Sequence, residues 1–224
     1  MSIEKDIFKK SRVNESKLIN YGFKKEKDNY IYSKDIMNNC MRVYISIDKD
    51  KNITSKIIDK DFNEEYTAFR NESSNGSFNN KVREEYKEVL NDIKDKCFTE
   101  ETFIFGQSNR LTKYIKEKYN DSPTFEWETS PGFGIFRNKN TKKWYALVMN
   151  INFNKIDNDK KEEIEIVNIK LDEEKILNLL KQDGFYKAWH MNKKYWITIV
   201  LNDTIDDKLL FELVDESYNY SSKK

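Results

Sequence analysis

The stretch Trp189-His190-Met191-Asn192-Lys193-Lys194-Tyr195-Trp196, running into Ile197-Thr198-Ile199-Val200-Leu201, decides how the rest of the chain is read. It holds the single histidine and two of the four tryptophans. The β-branched and aromatic run that ends it, closed by Asn202-Asp203, predicts a strand entered from a polar, aromatic-rich turn. Two readings of that turn follow. In one it is an exposed edge where His190, Lys193, Lys194 and the rings meet a partner. In the other the rings fold back onto the core, the commoner fate of a lone His or Trp, and the lysines are simply solvated.

Working outward, Asp172 is placed to cap a helix whose Ile176, Leu177, Leu179 and Leu180 face inward, with Gly184 past its end. On the other side, Thr204 starts a last helix with Ile205, Leu209, Leu210, Leu213, Val214 and Tyr218 on its apolar face. Farther upstream a helix is expected over 106–119, with Ser108 as a cap and Pro123 beyond its end. Strands follow over 125–129, 132–137, 143–153 and 164–171, with a polar turn over 138–141. Gly132-Phe133-Gly134 opens like a dinucleotide fingerprint, but no third glycine and no helix follow. The loop over 154–163 carries Asp157, Asp159, Glu162 and Glu163 with Lys155, Lys160 and Lys161 beside them, and reads as a solvated hairpin tip.

The N-terminal half predicts a turn or two of helix over 1–8 and a second helix capped by Asn14 and ended by Gly22. Strands are expected over 29–33, 40–47 and 53–59. Asp48, Asp50 and Asn52 imitate the start of a calcium loop, yet the sixth position is Ile53 where glycine is needed, and strands flank it where helices should. Residues 61–80 read as a polar surface loop, whose 70–76 portion is a candidate to lie beside a ligand. From Lys81, the stripe Val82, Tyr86, Val89, Leu90, Ile93 and Cys97 marks a helix with one buried face. The chain changes domain near Phe98, giving a smaller helix–three-strand–helix domain over 1–98 and a second domain over 99–224.

Several blocks together resemble the MmcQ/YjbR family. His190 to Thr198, HMNKKYWIT, is similar to its C-terminal signature, and Phe136-Arg137, Lys142 to Leu147 and Val167 to Asp172 match other parts in order. The resemblance covers about residues 105–219. It implies an α+β, frataxin-like antiparallel sheet with helices packed on it, and a DNA-binding label attached to two β-hairpin wings. Carried onto this chain, the wings are the hairpin through Asn138–Lys143 and the turn His190–Lys194. Lys142, Lys143, Lys193 and Lys194 would then contact phosphates, and Arg137 and Asn192 would donate to sugar or base edges. Trp144, Tyr195 and Trp196 are expected in the core.

Composition limits this picture. In 224 residues the formal net charge is +1, and neither half is basic, so a nucleic-acid site has to come from local clustering. Weak, salt-dependent DNA binding would carry a log–log slope of roughly −4 to −5. The competing reading is a protein-interaction or small-ligand module, sited at the domain seam or at the HMNKKYW corner. One histidine, two cysteines without CxxC spacing and no phosphate loop predict no catalytic set, no metal and no cofactor. Cys97 reads as a small core residue. With no run of 18 apolar residues and no apolar leader, no membrane contact and a cytoplasmic location are expected.

Overall fold

Ser2 opens the first helix, α1 (Ile3–Phe8), by accepting from the Lys5 amide in a computed structural model that describes residues 2–71, 73–74 and 76–222. Expectations for Met1, for Glu72 and Asn75 of the polar loop, and for the tail residues Lys223 and Lys224 lie outside the described residues. The fold falls into two units, Met1–Glu101 and Thr102–Lys224.

In the first unit, β1 (Ser11–Val13) leads into α2 (Glu15–Tyr21). Asn14 caps α2 through the Lys17 amide, and Gly22 closes it at φ 118°, a left-handed conformation that strains any side chain. Then β2 (Lys24–Glu26), β3 (Asn29–Ile36), β4 (Met41–Ile47), β5 (Ile53–Asp59) and β6 (Glu64–Glu65) form an antiparallel meander in that order. Along β4, Met41, Val43, Ile45 and Ile47 are buried and alternate with half-buried Arg42, Tyr44 and Ser46, as the period of two predicts. The long helix α3 (Ser77–Cys97) adds Val82, Tyr86, Val89, Leu90, Ile93 and Cys97 to the same core.

Three features differ from expectation. The helix begins at Ser77, ahead of its apolar stripe, because buried Asn79 donates its amide to the carbonyls of Ala68 and Ser74. Two further strands extend the meander, but β2 and β6 are polar and exposed along their whole length, so no periodicity marks them. A last strand, β7 (Phe98–Glu100), returns to pair with β1, which carries the first unit three residues past the expected boundary. Cys97 is buried, and burial pushes its thiol pKa up. Cys40 is exposed just before β4.

The second unit runs α4 (Gly106–Tyr119), β8 (Thr124–Phe125), β9 (Gly134–Arg137), β10 (Trp144–Asn152), β11 (Glu163–Lys170), α5 (Glu173–Leu179), β12 (Phe185–Lys187), β13 (Trp196–Val200) and α6 (Asp207–Ser222). Its six strands form one antiparallel sheet in the order β12-β13-β11-β10-β9-β8. The chain is therefore an α+β protein. On one face of this sheet, Leu111 and Ile115 of α4, Ile176 of α5, and Leu210, Leu213 and Val214 of α6 pack with Val148, Val167, Ile169, Ile197 and Ile199. Among the described residues no α-helix contributes to the apolar cluster on the other face, where Ile135, Met149, Ile166 and Val200 are covered by Trp127, Phe133, Trp144, Tyr186, Trp189 and Met191. Among the described residues no helix is long and apolar enough to cross a membrane.

Leu177, expected to face inward, is exposed, and the strand expected over 125–129 is confined to Thr124–Phe125. Local chemistry accounts for two further departures. Ser108 is buried inside α4 rather than capping it, and α4 begins at Gly106 without a side-chain cap. The last helix starts at Asp207, not Thr204, because buried Gln107 accepts from the Asp203 amide and donates to the Ile205 carbonyl, holding that segment in a non-helical path. Within Gly132-Phe133-Gly134 it is Gly134 that packing requires: a Cβ there would lie 2.6 Å from Phe103 Cζ and 3.0 Å from Pro123 Cβ, whereas one on Gly132 would meet nothing within 4 Å. Gly134→Ala should therefore lower stability by about 1 to 3 kcal/mol, read as a fall in melting temperature.

Candidate binding cleft

The turn before β13 is held by three residues with buried polar side chains or backbone. Thr198 Oγ1 donates to Asn168 Oδ1 at 2.5 Å and accepts the Trp189 amide at 3.1 Å, while Asn168 Nδ2 donates to the Trp189 carbonyl at 2.8 Å. Both Asn168 and Thr198 are fully buried, so every one of these groups depends on the others for its hydrogen bonds. His190 follows at φ 57°, its ring edge-on to Trp189 with centroids 4.1 Å apart. Asn192 then turns the chain: its side-chain oxygen accepts the Lys194 amide at 3.0 Å and its carbonyl accepts from Tyr195 and Trp196. The side chain expected to read base edges thus has its oxygen engaged in its own turn.

Beside this turn lies a cavity of about 430 Å³, lined by Lys155, Ile156, Leu180, Lys193 and the consecutive run from Phe185 to His190. Side chains of a strand alternate between faces, so a cleft lined by consecutive residues follows the strand's edge rather than either face. The edge strand here is β12. Lys155, Lys187, Lys193 and His190 bring basic groups to the cleft, and no carboxylate lines it. Among the described residues Lys155, Lys187 and Lys193 have no carboxylate partner. The nearby Asp157 is engaged with Lys160 at 3.5 Å and accepts the Tyr186 hydroxyl at 3.3 Å.

The other sequence-derived candidates lie elsewhere in the unit. Arg137 is taken up by Glu126 at 2.8 Å and by the Thr124 hydroxyl at 2.7 Å, with its guanidinium over Trp144. Lys142, at φ 61°, and Lys143 belong to a tight hairpin that is tied down, since Asn138 donates to the Ser222 hydroxyl and Thr141 to the Ser221 carbonyl. Lys194 sits 3.5 Å from Glu173 and close to the exposed Tyr195 ring, which departs from the expected core position; Trp196 is buried and Trp144 half-buried. The residue that joins the two lysine pairs is Lys170. Its backbone pairs with Trp196 across β11 and β13, its ammonium lies 5.0 Å from the Trp196 ring centre, and β11 abuts the start of β10 after Lys143. Burial, and after it the Lys143 ammonium, lowers the Lys170 pKa.

Lys170 and Lys187 escaped the sequence reading because one ends a buried strand and the other lies in a strand too short to show a period. Other basic clusters are neutralised. On α4, Arg110 pairs with Asp203 and Asp207, Lys113 with Glu117, and Lys118 with Asp215. Asp48 accepts both the backbone and side-chain amide of Asn52, which makes that loop a hairpin turn. Among the described residues no group of three or more His, Cys, Asp or Glu could hold a metal ion. Arg70, from the loop weighed as a ligand neighbour, instead binds the buried Glu4 carboxylate at 2.8 and 3.2 Å.

These features define an antiparallel α+β scaffold with a basic, aromatic edge cleft, and comparison with known proteins places it. Residues 116–220 match the YjbR family model. The chain is 36% identical over 109 residues to the "Uncharacterized protein YyaQ" of Bacillus subtilis (strain 168), spanning 49% of this chain and 92% of that protein. It is 33% identical over 57 residues to the "Uncharacterized protein YbdF" of Escherichia coli O157:H7, spanning 25% of this chain and 47% of that one. The chain belongs to the YjbR family. Among solved structures, a Pseudomonas syringae protein is similar at 33% identity and a TM-score of 0.49, over 50% of this chain and 96% of that one. A Deinococcus radiodurans protein follows at 25% identity and a TM-score of 0.41, over 52% and 79%.

Proposed function

We propose that the C-terminal unit is a non-enzymatic binding module whose site is the β12 cleft, and that it takes an anionic ligand with an apolar or planar part. The observation that carries this reading is the lining itself: three lysines without carboxylate partners among the described residues and one histidine, set against Leu180, Phe185, Tyr186 and Trp189 with no acid among them. Burial-rich pockets with a few convergent charges are the usual form of ligand sites. The imidazole of His190 meets Trp189 edge-on, an arrangement that suits recognition rather than proton transfer within a catalytic set.

Duplex DNA across both hairpins is the second reading. Lys170 favours it, by standing between Lys143 and the turn that carries Lys194. Against it, Arg137 and Lys194 already face Glu126 and Glu173, and the Lys142 hairpin is tied to the end of α6. One experiment separates the two. Anilinonaphthalenesulfonate, an aromatic anion, is titrated into wild type, K187E/K193E and K142E/K143E, and the same proteins are tested against a 20-base-pair duplex at low salt. The cleft reading expects roughly tenfold weaker dye binding in K187E/K193E and little change in K142E/K143E. DNA binding that is lost in K142E/K143E, with a log–log salt slope of roughly −4 to −5, would replace it.

A further inference from the structure

The cleft follows an open backbone edge, and that edge has a defined hydrogen-bonding register. The Val200 amide donates to the Gly184 carbonyl at 3.0 Å, and β12 pairs Phe185 with Ile199, Tyr186 with Thr198 and Lys187 with Ile197. Antiparallel ladders alternate bonded and non-bonded pairs, so Tyr186 exchanges its backbone bonds with Thr198. The N–H and C=O groups of Phe185 and Lys187 then point away from β13, along the cavity that the run 185–190 lines.

We propose that the ligand of this cleft is an extended acidic peptide, which adds a strand to β12; the inference rests on the cleft reading above and names its partner. Strand addition supplies affinity through the main chain and leaves specificity to the flanking side chains. Here Leu180 lies on the helix-covered side of the edge and Ile156 on the other, so alternate side chains of an added strand meet an apolar wall on each face. Lys155, Lys187 and Lys193 select for charge. An edge lysine ordinarily guards against pairing with another copy of the same strand, because each copy would bring Lys155, Lys187 and Lys193 to one seam. The same guard attracts a strand that carries carboxylates. A second copy of this chain is thus disfavoured and an acidic segment is favoured.

The test uses the full chain, isotope-labelled, titrated with an acetylated and amidated hexapeptide of alternating glutamate and valine. Its lysine–valine counterpart and a form N-methylated at every backbone nitrogen serve as comparisons, with anilinonaphthalenesulfonate run in parallel. The acidic peptide is expected to bind, to slow hydrogen exchange at the Phe185 and Lys187 amides, and to lose at least tenfold in affinity on N-methylation or in K187E/K193E. Equal binding by the N-methylated or the lysine–valine peptide, or no binding by the acidic one while the dye still occupies the cleft, would overturn strand addition and leave the cleft reading standing. If neither peptide nor dye binds, both readings fall.

Discussion

Replacing Glu4 by alanine is expected to cost the N-terminal unit about 3 kcal/mol, the lower end of the range for breaking a buried ion pair. Glu4 is 3% exposed and holds four groups at once: two nitrogens of Arg70, the Ser55 hydroxyl at 2.6 Å and the Tyr86 hydroxyl at 2.6 Å. Removing the carboxylate leaves a guanidinium that is one-third exposed, and water can recover part of the loss. That partial exposure is why the lower end applies. Burial alone would raise the Glu4 pKa, but the hydrogen bonds from Arg70, Ser55 and Tyr86 outweigh it and bring it from 4.5 down to about 2. A carboxylate whose folded pKa is depressed adds stability above its unfolded value and loses it as pH falls through the folded one. Urea titrations should therefore show the wild type losing stability between about pH 4.5 and pH 2, with the Glu4→Ala variant flatter over that window. A variant as stable as wild type at pH 7 would show that the network is not holding α1 to the sheet.

The second large effect is expected at Asn168. Asn168→Ala removes the donor to the half-buried Trp189 carbonyl and the acceptor of the buried Thr198 hydroxyl, which then keeps only the Trp189 amide as a partner. Each unsatisfied group costs about 1 to 3 kcal/mol, so a loss of roughly 2 to 4 kcal/mol is expected by chemical denaturation. The same bonds fix Trp189 and, through it, the His190 and Lys193 side of the cleft. Dye affinity should consequently fall together with stability. A Thr198→Val and Asn168→Ala double variant should cost less than the sum of the single ones, because the two share one network. Strict additivity would indicate that the three groups are not coupled.

Much of the scaffold was legible in the residues. The α4 range, the Asn14 cap with its Gly22 close, and the alternation along β4 all follow from periodicity and capping chemistry, since those signals are local. The strands that escaped notice are short or polar. β12 has three residues, and β2 and β6 bury none of theirs, so neither burial nor period announces them. The candidate site was legible only in part. His190 and Lys193 line the cleft, but their partners Lys155, Lys187 and Tyr186 come from an adjoining loop and a short edge strand, and only the folded sheet brings them together. Arg137 and Lys194 carried the right charge for a phosphate contact, and their pairing with Glu126 and Glu173 is a tertiary fact that no spacing encodes. The HMNKKYWIT stretch proved most informative through Thr198, a residue that reads as a routine strand former and instead positions the turn.

The most direct test of the cleft as the working site is an amide chemical-shift map of the full chain titrated with anilinonaphthalenesulfonate at low salt. Saturable shifts confined to 155–156, 180 and 185–193 are predicted, and they should vanish in K187E/K193E. Shifts that centre on 138–143 and 170, or that spread over both units without saturating, would contradict the account.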